Sequence, residues 1–228
     1  MRLVTSGAAA AALVAFSIGT SLLAAPMVLN PGFETPQYVN DIHKVNPTDT
    51  GVAWTFTPST LSGFETGAGS GIDRGRLYGS TTNSDANSGS QLAFIQGSGD
   101  ASVMSISQSI SGFDVGTQYT VSFYAKAIGG NAAFSVNPFT VSVGATTLTF
   151  SGDTTVTPPL TESYTLYTSA PFTTNSTSTV LRFAESAAGA YTRVSFIDDV
   201  SIATVPEPTA LAAVGSLACL FMGRRQRA

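Results

Sequence analysis

A chain of 228 residues with formal net charge −4, one histidine and one cysteine lacks both the basic balance of a nucleic-acid binder and the side chains for a two-histidine or thiolate metal site. Charged residues make up only 11%, and the richness in Thr, Ser, Gly, Val and Phe is that of an extracellular β protein. The lone Cys219 lies near the C-terminus, so no disulfide staples the body of the chain.

From the N-terminus, Met1-Arg2 precedes an Ala-rich apolar run ending near Ala25. A charge, then an apolar stretch, then small residues is the pattern of a secretory signal peptide, here residues 1–25. Residues 26–204 then suit a single domain with a sizeable core. Within them six basic residues (Lys44, Arg74, Arg76, Lys126, Arg182, Arg193) face thirteen of the fourteen acids, a net of about minus seven. That surface repels phosphate backbones, so nucleic acid is excluded as a partner.

In this stretch the clearest strand is Gln118 to Ala125, where Tyr119, Val121, Phe123 and Ala125 alternate with polar residues at the period of two expected of a half-buried strand. Similar runs lie at Gln91 to Gln96, Val103 to Ile110, Phe139 to Val143, Thr147 to Phe150, Ser163 to Tyr167, Thr179 to Phe183 and Val194 to Ile202. About eight short strands separated by turn residues predict an all-β fold, a single sandwich or barrel. Gly63 to Ser90 is dominated by small polar residues and reads as a long surface loop with one short strand at Arg76 to Tyr78. In the last strand Phe196, Asp198, Val200 and Ile202 share one parity, which turns Asp198 toward the core.

The chain closes with Val205-Pro206-Glu207-Pro208, an apolar run of about fifteen residues from Thr209 to Gly223, and Arg224-Arg225-Gln226-Arg227-Ala228. Spanning a bilayer takes roughly twenty apolar residues, so the run is marginal as a permanent anchor. Its terminal arginines belong on the cytoplasmic side. Residues 205–228 resemble the PEP-CTERM sorting signal of exopolysaccharide-producing Gram-negative bacteria, with Pro206, Glu207, Pro208, Arg224, Arg225 and Arg227 as the motif. The resemblance implies a short hydrophobic sorting helix, transient membrane association and handling by an exosortase and the secretion machinery. It also implies that the unprocessed form is held in the inner membrane and the body delivered to the cell envelope, outer surface or extracellular matrix.

Leu29-Asn30-Pro31-Gly32-Phe33-Glu34-Thr35-Pro36, Trp54, Gln108-Ser109-Ile110, the Gly116 to Phe123 strand and Phe196-Ile197-Asp198-Asp199-Val200-Ser201-Ile202 together resemble galactose-binding-like jelly rolls of the carbohydrate-binding-module type. That likeness implies a jelly-roll sandwich whose first and last segments lie side by side. It also implies a structural calcium near their carboxylates, for which Glu34, Asp198 and Asp199 are the candidates by position. A buried Asp198 needs either such a cation or several N–H donors. Trp54 is the one tryptophan and the candidate ligand platform, since a pyranose stacks on such a ring. The alternation Val52, Trp54, Phe56 favours the other reading, in which the ring belongs to the core.

Catalysis has little to stand on. A Ser-His-Asp triad would have to use His43, no Gly-x-Ser-x-Gly elbow is present, and Asp198-Asp199 are adjacent in one strand, unlike a glycosidase pair. The sequence thus predicts an exported, non-catalytic sandwich sorted to the envelope or polysaccharide matrix, where polysaccharide is the expected ligand. The alternatives are a structural matrix protein without a glycan ligand and an ice-binding protein. The latter needs a flat, regular Thr array, and Thr146, Thr147, Thr149 and Thr173 to Thr179 keep no constant spacing.

Overall fold

The computed structural model describes residues 25–38, 42–45, 47–57, 69–74, 86–97, 102–127, 135–161, 163–187 and 192–206. The expected leader up to residue 24 and most of the sorting segment (Glu207, Pro208, Arg224, Arg225, Arg227) lie outside them, as does the strand expected at Arg76 to Tyr78. Pro206 is described and exposed, two residues beyond the last strand.

The described chain is all-β, with thirteen strands: β1 (Ile42–Val45), β2 (Thr55–Thr57), β3 (Gly69–Arg74), β4 (Leu92–Gln96), β5 (Ser105–Ser111), β6 (Gln118–Ala127), β7 (Phe139–Val143), β8 (Thr146–Thr147), β9 (Thr155–Val156), β10 (Thr165–Thr168), β11 (Phe172–Thr173), β12 (Ser178–Glu185) and β13 (Val194–Thr204). They form the two antiparallel sheets of a jelly-roll sandwich. One sheet runs β1-β3-β4-β13-β6-β10, with β11 also on β6; the other runs β2-β5-β12-β7-β8, with β9 on β7.

The core lies between the sheets, and aromatic rings fill its centre. Phe123 meets Phe183 edge-on at 5.1 Å, Phe150 at 5.4 Å and stacks on Tyr167 at 5.6 Å. Each such pair adds about 0.5–1.5 kcal/mol to the burial of its rings. On β6 the inward set is Tyr119, Val121, Phe123 and Ala125, as the alternation requires. Val52, Trp54 and Phe56 are likewise buried in series.

Three expectations need correction. The stretch read as a loop from Gly63 to Ser90 contains β3, which sits between β1 and β4. In Gly69-Ser70-Gly71-Ile72-Asp73-Arg74 only Ile72 reaches the main core, so no apolar alternation announces the strand. The run from Thr147 to Phe150 is not continuous: β8 ends at Thr147, and Phe150 makes an isolated bridge to Asp153 around a turn with positive φ at Ser151 and Gly152.

The third correction is the parity of β13. Ile197 and Val200 face the main core, whereas Phe196 and Val194 join Leu92 and Phe94 in a second cluster on the outer side of the seven-stranded sheet. A register shift between Asp198 and Ser201, with Asp199 at φ 50°, inserts the residue that lets positions three apart share a face. Asp198 is therefore buried, but beside Phe196 on the sheet's outer side and not in the sandwich interior.

Candidate functional site

The opening segment folds onto itself before it reaches the sheets. Asn30 and Phe33 take positive φ values of 49° and 59°, and the Phe33 N–H donates to the Asn30 carbonyl at 3.2 Å. The Asn30 side chain ties the turn: its amide donates to the carbonyls of Thr35 (2.7 Å) and Val52 (3.1 Å), and its oxygen accepts the Thr35 N–H. Trp54 completes the turn from the core side. Its indole N–H donates to the Asn30 carbonyl at 3.0 Å, its ring lies 5.1 Å from Phe33, and only 4% of it is exposed. Trp54 is core, and the platform role expected of it is withdrawn: a ring covered on both sides has no face to offer a sugar.

The three expected carboxylates do come together, around the turn 86–91. Glu34 Oε1 accepts the N–H groups of Ser90 and Gln91 at 2.8 and 2.7 Å, and its other oxygen accepts the Ser90 hydroxyl. Asp198 Oδ2 accepts the N–H groups of Asn87 and Ser88 at 2.7 and 3.2 Å, while Oδ1 accepts the Asp199 N–H at 2.8 Å. Asp199 takes the Asn87 amide and the Ser88 hydroxyl at 2.8 and 2.6 Å. Gly89 passes between them at φ 66°, and a Cβ there would fall on Glu34 Oε1. From the same turn the buried Gln91 donates to the carbonyls of Phe33 and Pro36 and accepts the Tyr38 N–H.

This clamp joins the first segment, the 86–91 turn and the last strand. Burial, then the neighbouring Asp199 charge, pushes the Asp198 carboxyl up to about 7, against the three N–H groups that favour its charged form. The donor set does not fit the calcium that the resemblance implies. A divalent cation needs oxygens turned toward it, whereas the groups aimed at these carboxylates are N–H and O–H hydrogens. Among the described residues no three His, Cys, Asp or Glu side chains converge as metal ligands.

Two features were not anticipated. Asn87, Ser88 and Ser90 lie in the polar stretch read as loop, with Gln91 at the start of the strand expected after it, and their density of donors opposite three acids was the signal available. The other element is an open groove of about 280 Å³ between the β7–β8 hairpin and the segment joining β11 to β12, lined by Thr146, Thr173, Thr174, Asn175 and Thr179. Gly144 shapes its wall at φ 59°, where a Cβ would stand 2.7 Å from the Thr179 hydroxyl. Hydroxyls and one amide offer both donors and acceptors here. Arg74 lies in β3 and donates to the Tyr38 carbonyl, and the Tyr38 hydroxyl donates to Asp49 at 2.7 Å.

No family model matches the chain, and no curated protein matches it in sequence. Among solved structures it is similar to the Stig cyclase Fisc from Fischerella sp. TAU, with 16% identity and a TM-score of 0.56 over 80% of this chain and 98% of that one. It is also similar to TmCBM61, solved with β-1,4-galactotriose (16% identity, TM-score 0.45, 77% of this chain and 96% of that one). A third is the CBM22-1 xylan-binding domain of Paenibacillus barcinonensis Xyn10C (17%, 0.41, 72% and 93%). At these identities the likeness is one of fold.

Proposed function

We propose that the protein is an exported, non-catalytic sandwich that binds carbohydrate in the cell envelope or the extracellular polysaccharide matrix. Its leader and its Pro206-Glu207-Pro208 segment address it there, with an exosortase as the processing partner. One observation carries the binding reading: the three carboxylates grouped at the clamp are engaged by the protein's own donors, while the open groove presents hydroxyls and an amide. Carboxylates held in that way serve the fold; a hydroxyl-lined groove suits a neutral, hydroxyl-rich ligand.

A glycan array with the exported protein tests this. Saturable binding is expected, weakened about thirtyfold by the double variant Thr146→Ala, Asn175→Ala, which removes two hydrogen-bonding groups of roughly 1 kcal/mol each. A protein that binds no glycan on the array would instead be a structural component of the matrix. Mass spectrometry of the exported chain tests the address. A mature form ending near Glu207 is expected, with Glu207→Ala leaving full-length chain in the inner membrane; secreted protein still ending in Ala228 would contradict it.

A further inference from the structure

We propose that β10 is a self-association edge, through which two copies of this chain pair antiparallel and continue the seven-stranded sheet from one molecule into the next. Among the described residues β10 ends the sheet path with only β6 beside it. Its neighbours fix the phase of its backbone. Ser169 donates its N–H to the Val121 carbonyl at 2.9 Å, and Ala127 donates to the Pro159 carbonyl at the same distance, so the odd-numbered residues of β6 turn their peptide groups toward β10. Hydrogen-bonded pairs alternate along an antiparallel ladder. With Thr165 opposite Ala125 and Tyr167 opposite Phe123, those two residues direct their N–H and C=O groups to β6. Leu166 and Thr168 therefore aim theirs away from the sheet, where no backbone hydrogen bond reaches them among the described residues. The open stretch ends at Ala170, which donates to the Thr149 carbonyl at 2.8 Å.

The side chains point the same way. Asp198, Tyr124 and Leu166 stand abreast on the outer side of the sheet, and burial falls along the row: Asp198 is fully buried, Tyr124 half-buried and Leu166 54% exposed. Covered on one flank, this face thus ends in a bare leucine at an open edge. A two-fold axis at Leu166 sets that side chain opposite its counterpart, with the two Cβ atoms about 5 Å apart. Each leucine then covers the other, Tyr124 of each copy flanks the pair, and the two Leu166 residues exchange N–H to C=O bonds.

Charge and sequence select a second copy as the occupant. From Ser163 to Leu181 no residue is charged, and none is from Gln118 to Ala125 on the strand beside it. In a domain with a net charge of about minus seven, this flank is where two copies approach without like-charge repulsion, and it offers a charged ligand nothing to hold. The other free edges among the described strands carry the features that block pairing. β1 contains Lys44 with Pro47 close behind, β2 is three residues long and followed by Pro58, and β8 and β9 have two residues each. β10 contains neither charge nor proline. An isologous pair satisfies the same edge on both molecules at once, which a foreign strand does not. So short a seam is small against the roughly 1,200 Å² of a stable interface, so the pair forms and parts with concentration. On the carbohydrate reading, its consequence is a particle with two grooves.

Sedimentation equilibrium of the exported protein, with no glycan present, tests the pairing. A monomer–dimer equilibrium is expected. Leu166→Lys and Leu166→Glu should each weaken it about tenfold, since each sets like charges opposite one another across the axis, at an unchanged circular dichroism melting temperature. An equimolar mixture of the two variants should associate again, and added salt should weaken that mixed pair. Val115→Lys, at another exposed apolar side chain (61%), should leave the dimer intact. A protein that is monomeric at every concentration, or a dimer broken by Val115→Lys and not by Leu166→Lys, overturns the pairing. Variants that dissociate but stay apart on mixing overturn it too. A monomer that takes up an uncharged extended peptide, with the Leu166 and Thr168 amides newly protected from hydrogen exchange, would assign the edge to a foreign strand and overturn self-pairing. Glycan binding enters none of these readouts, so their failure leaves the carbohydrate reading standing.

Discussion

The two sheets of this sandwich treat their outer faces in opposite ways. On the six-stranded sheet the outward positions are mostly small hydroxylated residues, with Val180, Arg182 and Ala184 among them, and all but Ser105 are exposed or half-buried. On the seven-stranded sheet part of that face is buried: Leu92, Phe94, Val194 and Phe196 form a cluster with Ala86 and Tyr164 packed on it. Asp73 and Asp198 are fully buried nearby, and Lys126, 3% exposed, places its ammonium 4.5 Å from the centre of the Tyr164 ring. One alternating pattern thus has two outcomes, and what differs is whether anything covers the second face. A covered face contributes to stability, and an open one is free to bind.

The sharpest way to break that contrast is to cut one side chain from each face. Phe196→Ala, which empties a fully buried site, is expected to cost about 3–5 kcal/mol in a urea melt. Ser109→Ala on the open face should stay within about 0.5 kcal/mol. Equal costs would mean that the hydroxyl face is structural. A smaller effect probes the turn held by the clamp. Gly89→Ala should cost about 1–3 kcal/mol, because it adds a Cβ at positive φ against the Glu34 carboxylate.

The clamp also gives the covered side a pH dependence. Asp198 binds its proton more tightly folded, near pH 7, than at its ordinary value of 3.8. Below the lower value its contribution to stability is complete. As pH rises toward the higher one the folded state resists losing the proton, and stability falls by up to about 1.4 kcal/mol per pH unit. Melting temperatures between pH 4 and pH 7 should show this decline, and Asp199→Asn should flatten it by removing the neighbouring charge. The smallest expected effect is that of chelator. With N–H groups in place of a cation, EDTA should leave the melting temperature unchanged, and a drop that calcium restores would replace the hydrogen-bonded clamp with an ion.

Where one face of a strand is apolar and the other polar, its place in the fold is legible in the sequence. β6 and the run Val52, Trp54, Phe56 show this. β3 was hidden because two of its six residues are glycines and a single isoleucine cannot display a period. β13 misled for the opposite reason: apolar residues stand on both faces, and a bulge at Asp199 shifts the phase partway along, so alternation assigned Phe196 to the wrong side. Glu34, Asp198 and Asp199 were legible as neighbours, because the resemblance carried them to adjoining segments. Their donors were not, since polar residues in a long Gly- and Ser-rich stretch look alike until the backbone is placed. The outward hydroxyls of the six-stranded sheet adjoin one another only across strands, and no linear spacing of serines or threonines reveals them.

The division of labour between the clamp and the hydroxyl-lined groove is most directly tested by affinity electrophoresis in polysaccharide gels, read beside melting temperature. The groove double variant Thr146→Ala, Asn175→Ala is compared with Glu34→Ala, which strips two backbone N–H groups of their acceptor at a cost of about 2–4 kcal/mol. The account predicts that the groove variant loses retention at an unchanged melting temperature, and that Glu34→Ala melts lower while its folded fraction is retained like the unmodified protein. The reverse pattern, in which removing Glu34 abolishes retention and clearing the groove does not, would place the binding chemistry at the carboxylates and contradict it.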